Sequence, residues 1–141
     1  MKRKFLFLLT NVLLLFMLAG CAKTVNYNNV KDYADPIVNS ILTSINNLDY
    51  NTFSSYLSDD MKESYTLSAF QSETANIINN EGTFESAEFY AGEERGNYIH
   101  LIYDVKFSSK DETTPISITF EKNDEEHKVQ QFYFDSNLSE N

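Results

Sequence analysis

Cysteine occurs once in this chain, proline twice and glycine four times, and acidic side chains outnumber basic ones 21 to 11 over 141 residues. A single thiol has no partner within the chain, so no internal disulfide braces the fold. The scarcity of glycine and proline, with aromatics at 14%, argues against a disordered polypeptide. A net charge of −10 disfavours nucleic acid, teichoic-acid-like polymers and anionic headgroups as partners of the folded part. Phosphate-binding loops, dinucleotide fingerprints, Gly-x-Ser-x-Gly elbows and paired-cysteine metal motifs are all missing. These absences leave no named reaction or substrate.

What is present begins at the N-terminus. Lys2, Arg3 and Lys4 precede a run from Phe5 to Ala19 broken only by Thr10 and Asn11. A positive start, a short apolar segment and small residues before a cut make an export signal. Spanning a bilayer takes about 20 apolar residues, so this run is short for a permanent membrane helix. It ends in Leu18-Ala19-Gly20-Cys21, which holds the only thiol.

That ending closely resembles the lipobox of bacterial lipoproteins. The resemblance implies that Cys21 receives a thioether-linked diacylglycerol, that a peptidase cuts before it, and that fatty acyl chains such as palmitate anchor the mature chain. Each buried CH₂ contributes about 0.8 kcal/mol, and stable anchoring takes two chains, which diacylglycerol supplies. Residues 1–20 are then a signal peptide, and their loss moves the net charge from −10 to −13. The expected address is the outer face of the bacterial cytoplasmic membrane, or the outer membrane of a Gram-negative cell. Residues 21–31 read as the lipidated cysteine and a polar tether, 32–138 as a single domain and 139–141 as a tail. Ten extended residues reach at most about 35 Å, which keeps the domain near the membrane.

From Tyr33 the apolar positions Ile37, Val38, Ile41, Leu42, Ile45 and Leu48 make one helical stripe. Asp35-Pro36 reads as an N-cap and first helical position, unless the helix begins earlier and bends there. Phe53, Tyr56 and Leu57 suggest a short second helix, Ser58-Asp59-Asp60 a cap before Met61 and Tyr65, and Ser68 to Gln71 a capping box. Gly82 ends the last helix as its left-handed residue.

Beyond Gly82 the period becomes two. Phe84 with Phe89 and Tyr90, residues 99–107, residues 116–120 and residues 129–134 read as four antiparallel strands joined by short polar links, the first over residues 92–97. In the last strand Gln130, Gln131, Phe132, Tyr133 and Phe134 do not alternate, which a bulge or a second partly buried face explains. Helices followed by a meander give an α+β fold, with N-terminal helices on one face of a curved four-stranded sheet.

This order resembles the cone-shaped superfamily of nuclear-transport-factor-like and ketosteroid-isomerase-like domains. The resemblance rests on Leu48-Asp49-Tyr50-Asn51-Thr52-Phe53, on Asp59-Asp60-Met61-Lys62, on Phe70 and on Gly82, over roughly residues 33–135. It implies a pocket between helices and sheet, and pairing of two copies through their sheets. Tyr50, Tyr56, Tyr103 and Tyr133 are the candidate pocket lining, with Tyr65 beside them. A phenol in such a pocket donates to a ligand oxyanion, but that chemistry also needs a buried carboxylate. No Asp or Glu alternates onto the apolar face of residues 99–107, so core tyrosines with hydroxyls at the rim fit the same positions.

His100 and Asp104 share the opposite face of their strand about 13 Å apart, too far for direct contact. Asp59, Asp60 and Glu63, or Asp124, Glu125 and Glu126 with His127, lack the glycine-bearing loop and carbonyls of a calcium site. They read as helix-start electrostatics and a charged hairpin turn. No catalytic residue, metal or cofactor is assigned. The expected role is a membrane-anchored surface lipoprotein whose domain binds a small molecule or an envelope protein. The alternatives are an enzyme of the isomerase or dehydratase kind acting on a small apolar substrate, and an accessory envelope protein whose acidic exterior contacts a cationic component.

Overall fold

A computed structural model of the chain describes residues 22–134. Residues 1–21, which include Cys21 and the segment read as a signal peptide, and residues 135–141 lie outside the described residues. Four helices, α1 (Lys31–Asn46), α2 (Tyr50–Ser55), α3 (Asp59–Ser64) and α4 (Leu67–Glu81), precede the main strands. The sheet is antiparallel with strands in sequence order: β1 (Lys23–Thr24), β2 (Phe84–Arg95), β3 (Tyr98–Phe107), β4 (Thr114–Glu121) and β5 (Val129–Phe134). The fold is therefore α+β, with five strands where four were expected. The additional strand comes from the stretch read as a tether. Lys23 and Thr24 pair with Glu94 and Glu93, and Val25 and Val30 are buried beside them. Two residues of strand carry no readable period, which is why the sequence concealed β1.

The first helix buries Ile37, Val38, Ile41, Leu42 and Ile45 as the stripe predicts, with Ala34 beside them, whereas Leu48 falls past the helix end at φ +55° and is exposed. Its start differs from the Asp35–Pro36 expectation. Val30 is the N-cap, and Pro36 sits inside the helix, where it removes one amide donor from the ladder. Asp35 is thus freed from capping. The helix α2 starts at Asp49, whose carboxylate accepts from the Thr52 amide at 3.1 Å and the Thr52 hydroxyl at 2.6 Å. Ser58 caps α3 by accepting from the Met61 amide at 3.3 Å. Thr66, not Ser68, caps α4, accepting from the Ala69 amide at 3.3 Å.

In the sheet, β2 runs through the expected loop and turns only at Gly96 and Asn97, with Gly96 at φ +58°. Register shifts fall between Phe84 and Ser86, between Phe89 and Ala91, and opposite Thr119 and Phe120. The last is the bulge in β5, with Gln131 facing Thr119 and Val129 facing Phe120, so Gln130 is the extra residue. Such bulges bend their strands and curve the sheet around the helices. The core then joins Leu101, Tyr103, Val105, Phe107, Ile116, Ile118, Phe120, Val129 and Phe132 to the helical stripe and to Phe53, Leu57 and Phe70.

The end of α4 is latched to the β3–β4 loop. Lys110 Nζ lies 2.8 Å from Glu81 Oε1, and the Thr114 hydroxyl donates to Glu81 Oε2 at 2.7 Å. Burial by itself would raise the Glu81 carboxyl, but the bonds from Lys110 and Thr114 outweigh it and hold the group below its ordinary value of 4.5. A carboxyl lowered in the folded state adds stability above its unfolded value and loses it as pH falls through the folded one. We expect Glu81→Gln to cost about 1 kcal/mol at neutral pH and nothing below the acid transition. Urea melts at pH 7 and from pH 4.5 downward would check this, and parallel wild-type and variant curves would refute it.

Candidate functional site

The four tyrosines named from the sequence do not converge. Tyr50 is half-buried among α2, α3 and α4, and donates to the Tyr65 carbonyl at 2.9 Å. Tyr56 lies at the end of α2, where its carbonyl accepts from the Val129 amide at 2.8 Å. Tyr103 is buried beneath α1, and Tyr133 is 58% exposed on β5. Cys21 falls outside the described residues. His100 stays on the open face of β3 with its Nδ1 2.9 Å from Thr119 Oγ1. Among the described residues no group of three His, Cys, Asp or Glu side chains is placed to hold a metal, and no helix is long and apolar enough to cross a membrane.

A carboxylate does meet a buried phenol, from an element that the sequence reading did not consult. Asp35 on α1 accepts from Tyr103 at 2.7 Å through Oδ1 and from Tyr27 at 2.5 Å through Oδ2. Burial, then the Asp35 carboxylate, pushes the Tyr103 phenol well above its usual range. Tyr27 is also raised, first by its bond to Asp35. Both phenols therefore stay protonated as donors, and both carboxylate oxygens are engaged. Tyr27 stacks on Phe89 at 4.6 Å and Phe89 meets Tyr103 edge-on at 5.8 Å, so aromatic rings flank the carboxylate, with Tyr103 buried and Tyr27 at the surface. It works as a polar pin between the N-terminal turn, α1 and β3.

An open groove lies elsewhere, along the outer side of β5. A cleft of about 450 Å³ is lined by Asp60, Met61, Ser64, Tyr65, Glu73 and residues 130–133. A second of about 300 Å³ shares Tyr65, Glu73, Phe132 and Tyr133 with it and extends to Asn76, Ile77 and Phe134. Together they make one groove between α3, α4 and the last strand. The helices hold this geometry because Leu57 bridges to Val129 in parallel and the Ser58 amide donates to the Val129 carbonyl at 2.9 Å. Below that bridge the chain turns into α3 and leaves the strand's flank uncovered.

The groove has an apolar floor and an acidic rim. Phe132 and Met61 are buried at its base, with Tyr65 and Phe134 partly so. Tyr65 donates its hydroxyl to Glu73, and burial together with that carboxylate drives the phenol far above its ordinary value. Tyr65 is therefore a neutral, permanently protonated group. Asp60 and Glu73 supply negative charge, Gln130 and Gln131 supply amides, and no basic side chain lines either cleft. Such a surface suits an elongated ligand that combines apolar contact with a cationic or donor group. The lining thus offers carboxylate and amide hydrogen-bonding groups over an aromatic floor.

No curated protein and no solved structure gives a significant match to the chain. One family profile matches residues 38–132, which runs from the second turn of α1 to Phe132 at the base of the groove. The chain belongs to that family, whose description is "Protein of unknown function (DUF3887)".

Proposed function

We propose that this protein is exported, held by lipidated Cys21 at the outer face of the membrane, and uses its α+β domain as a non-catalytic binding module. Its helices-then-meander order and curved sheet fit the cone-shaped superfamily of nuclear-transport-factor-like domains. The observation that carries the binding reading is the groove between α3, α4 and β5, with aromatic floor and uncompensated carboxylates at Asp60 and Glu73. The ligand class it favours is an amphipathic cation: an amine or guanidinium joined to an apolar body. A cation above the Tyr65 and Tyr133 rings gains from their faces as well as from the carboxylates. This unites the binding reading with the expectation that an acidic surface meets a cationic component of the envelope.

The isomerase alternative has less support: Asp35 is saturated by Tyr103 and Tyr27, and at the other carboxylate–phenol contact the Tyr65 hydroxyl is already donated to Glu73. Titration with arylalkyl amines and short peptides containing Lys or Arg, followed by calorimetry, tests the proposal. We expect saturable binding that weakens about tenfold in Glu73→Gln, equivalent to the loss of one charge-assisted bond of about 1.4 kcal/mol. Binding of neutral and cationic analogues with equal affinity would sink the electrostatic part. A complete absence of binding across the panel would remove the groove as the site. Intact-mass measurement of the native chain tests the anchor, for which a mass lacking diacylglycerol on Cys21 is the opposing result.

A further inference from the structure

We infer that β1 is a strap that fixes the lipid anchor beside the β2–β3 turn, so that this end of the sheet rests on the headgroups and the domain does not swing on a tether. The inference rests on the lipidation of Cys21 proposed above, and adds to it an interaction surface, namely the bilayer-facing end of the domain.

The segment from Lys23 to Val30 is tied down at successive points. Lys23 and Thr24 pair with β2, and the Val25 amide donates to the Gly92 carbonyl at 2.9 Å. Val25 is buried, and its Cβ lies 3.1 Å from the point where a side chain on residue 92 would begin. Glycine at position 92 is what allows this close crossing. Asn26 then caps a short turn by accepting from the Asn28 amide at 3.1 Å. Tyr27 stacks on Phe89 and donates to Asp35, and Val30 is buried before α1 begins.

Consecutive Cα atoms are about 3.8 Å apart, so Cys21 lies within about 7.6 Å of the Lys23 Cα. Lys23 is the cross-strand partner of Glu94, next to Arg95 and the turn at Gly96 and Asn97. The free reach of the anchor therefore falls from the tens of ångströms of an unstructured segment to under about 10 Å. Tyr98, 45% exposed at the start of β3, gives this end an amphipathic aromatic of the kind that settles at membrane interfaces. Lys122 joins it, with its amide donating to the Asn97 carbonyl at 2.8 Å and its Nζ 2.9 Å from Glu94. The groove lies across the sheet on the far flank of β5, about four strand spacings or 19 Å away. It would then open sideways at a fixed height above the lipid.

The test uses the full, lipidated chain in vesicles of phosphatidylethanolamine and phosphatidylglycerol carrying a small share of nitroxide-labelled lipid. Lipidation consumes the native thiol, so a dye can be placed on Asn97→Cys at the turn or on Glu112→Cys in the β3–β4 loop, about 30 Å along the sheet. The strap predicts quenching at least fivefold stronger for Asn97→Cys. Adding Val25→Asp, which removes the packing of the strap, is expected to bring the two positions within about twofold. Equal quenching at both positions, or a contrast that survives Val25→Asp, overturns the strap. Two further readouts separate causes. Intact mass and flotation report lipidation, and its absence overturns the anchor on which the inference rests. Amide exchange at Val25 reports the strap alone, and an unprotected amide there refutes it whatever the state of Cys21.

Discussion

Phe53→Ala is expected to lower stability by about 3–5 kcal/mol, the largest effect of any single truncation in the helical half. The ring is fully buried, and its centroid lies 4.7 Å from Phe70, 5.2 Å from Tyr65, 6.4 Å from Phe132 and 6.5 Å from Tyr50. One side chain thus joins α2 to α4, to the end of α3 and to β5. Removing it leaves a cavity that none of these elements can close, since each is held by other contacts. Phe53→Leu keeps most of the volume and is expected to cost about 1 kcal/mol. Urea denaturation of both variants measures the difference. Because Tyr65 and Phe132 also line the groove, Phe53→Ala should weaken cation binding as well. A cost below about 1 kcal/mol for the alanine variant would show that the aromatic cluster is not the joint described here.

Gly82→Ala is expected to cost about 2–5 kcal/mol, from two separable causes. The residue ends α4 at φ +88° and ψ −158°, a region open in practice to glycine alone. A Cβ there would press on Ser108 Oγ and sit 2.5 Å from Ser109 Oγ and 2.7 Å from the Ser109 amide nitrogen. The Ser109 hydroxyl can rotate away, but Ser108 Oγ is held as the acceptor of the Thr83 amide at 2.9 Å, and the Ser109 amide is held by its bond to the Glu81 carbonyl at 3.1 Å. The double variant Gly82→Ala/Ser108→Ala should therefore recover only a small part of the loss. Full recovery would mean that side-chain crowding, and not backbone strain, sets the requirement for glycine.

Much of the architecture was legible because it follows from local periodicity. The stripe from Ile37 to Ile45 and the alternation through residues 99–107 each repeat often enough to fix type and buried face. Ser58 and Gly82 act where the sequence puts them because capping is chemistry within one turn of chain. The start of α1 stood between two readings, because a proline inside a helix and a proline at its first turn look alike in sequence, and the earlier start at Lys31 is the one the chain adopts. The β5 bulge was one of two readings of Gln130 and Gln131, and only the pairing with Thr119 and Phe120 on β4 decided it.

Of the groove's lining only Tyr133 and Tyr65 were named from the sequence as pocket candidates, and the groove itself was not legible, because its residues are far apart along the chain. Asp60, Tyr65, Glu73 and Phe132 lie on α3, the link after it, α4 and β5, with more than half the domain between the first and the last. No local pattern marks them, since a groove is a property of how surfaces fail to meet. Asp35 was equally hidden: its two phenol partners are eight and 68 residues away.

Composition and short-range pattern alone determined an acidic α+β chain with an export-type start, one thiol, and helices ahead of a meander. The tertiary structure decided that Lys23 and Thr24, within the stretch read as a tether, pair as a fifth strand, that the tyrosines scatter, and that a groove opens beside β5. The physical division is between interactions that close within a few residues, which a sequence can display, and packing between distant elements, whose outcome depends on every surface at once.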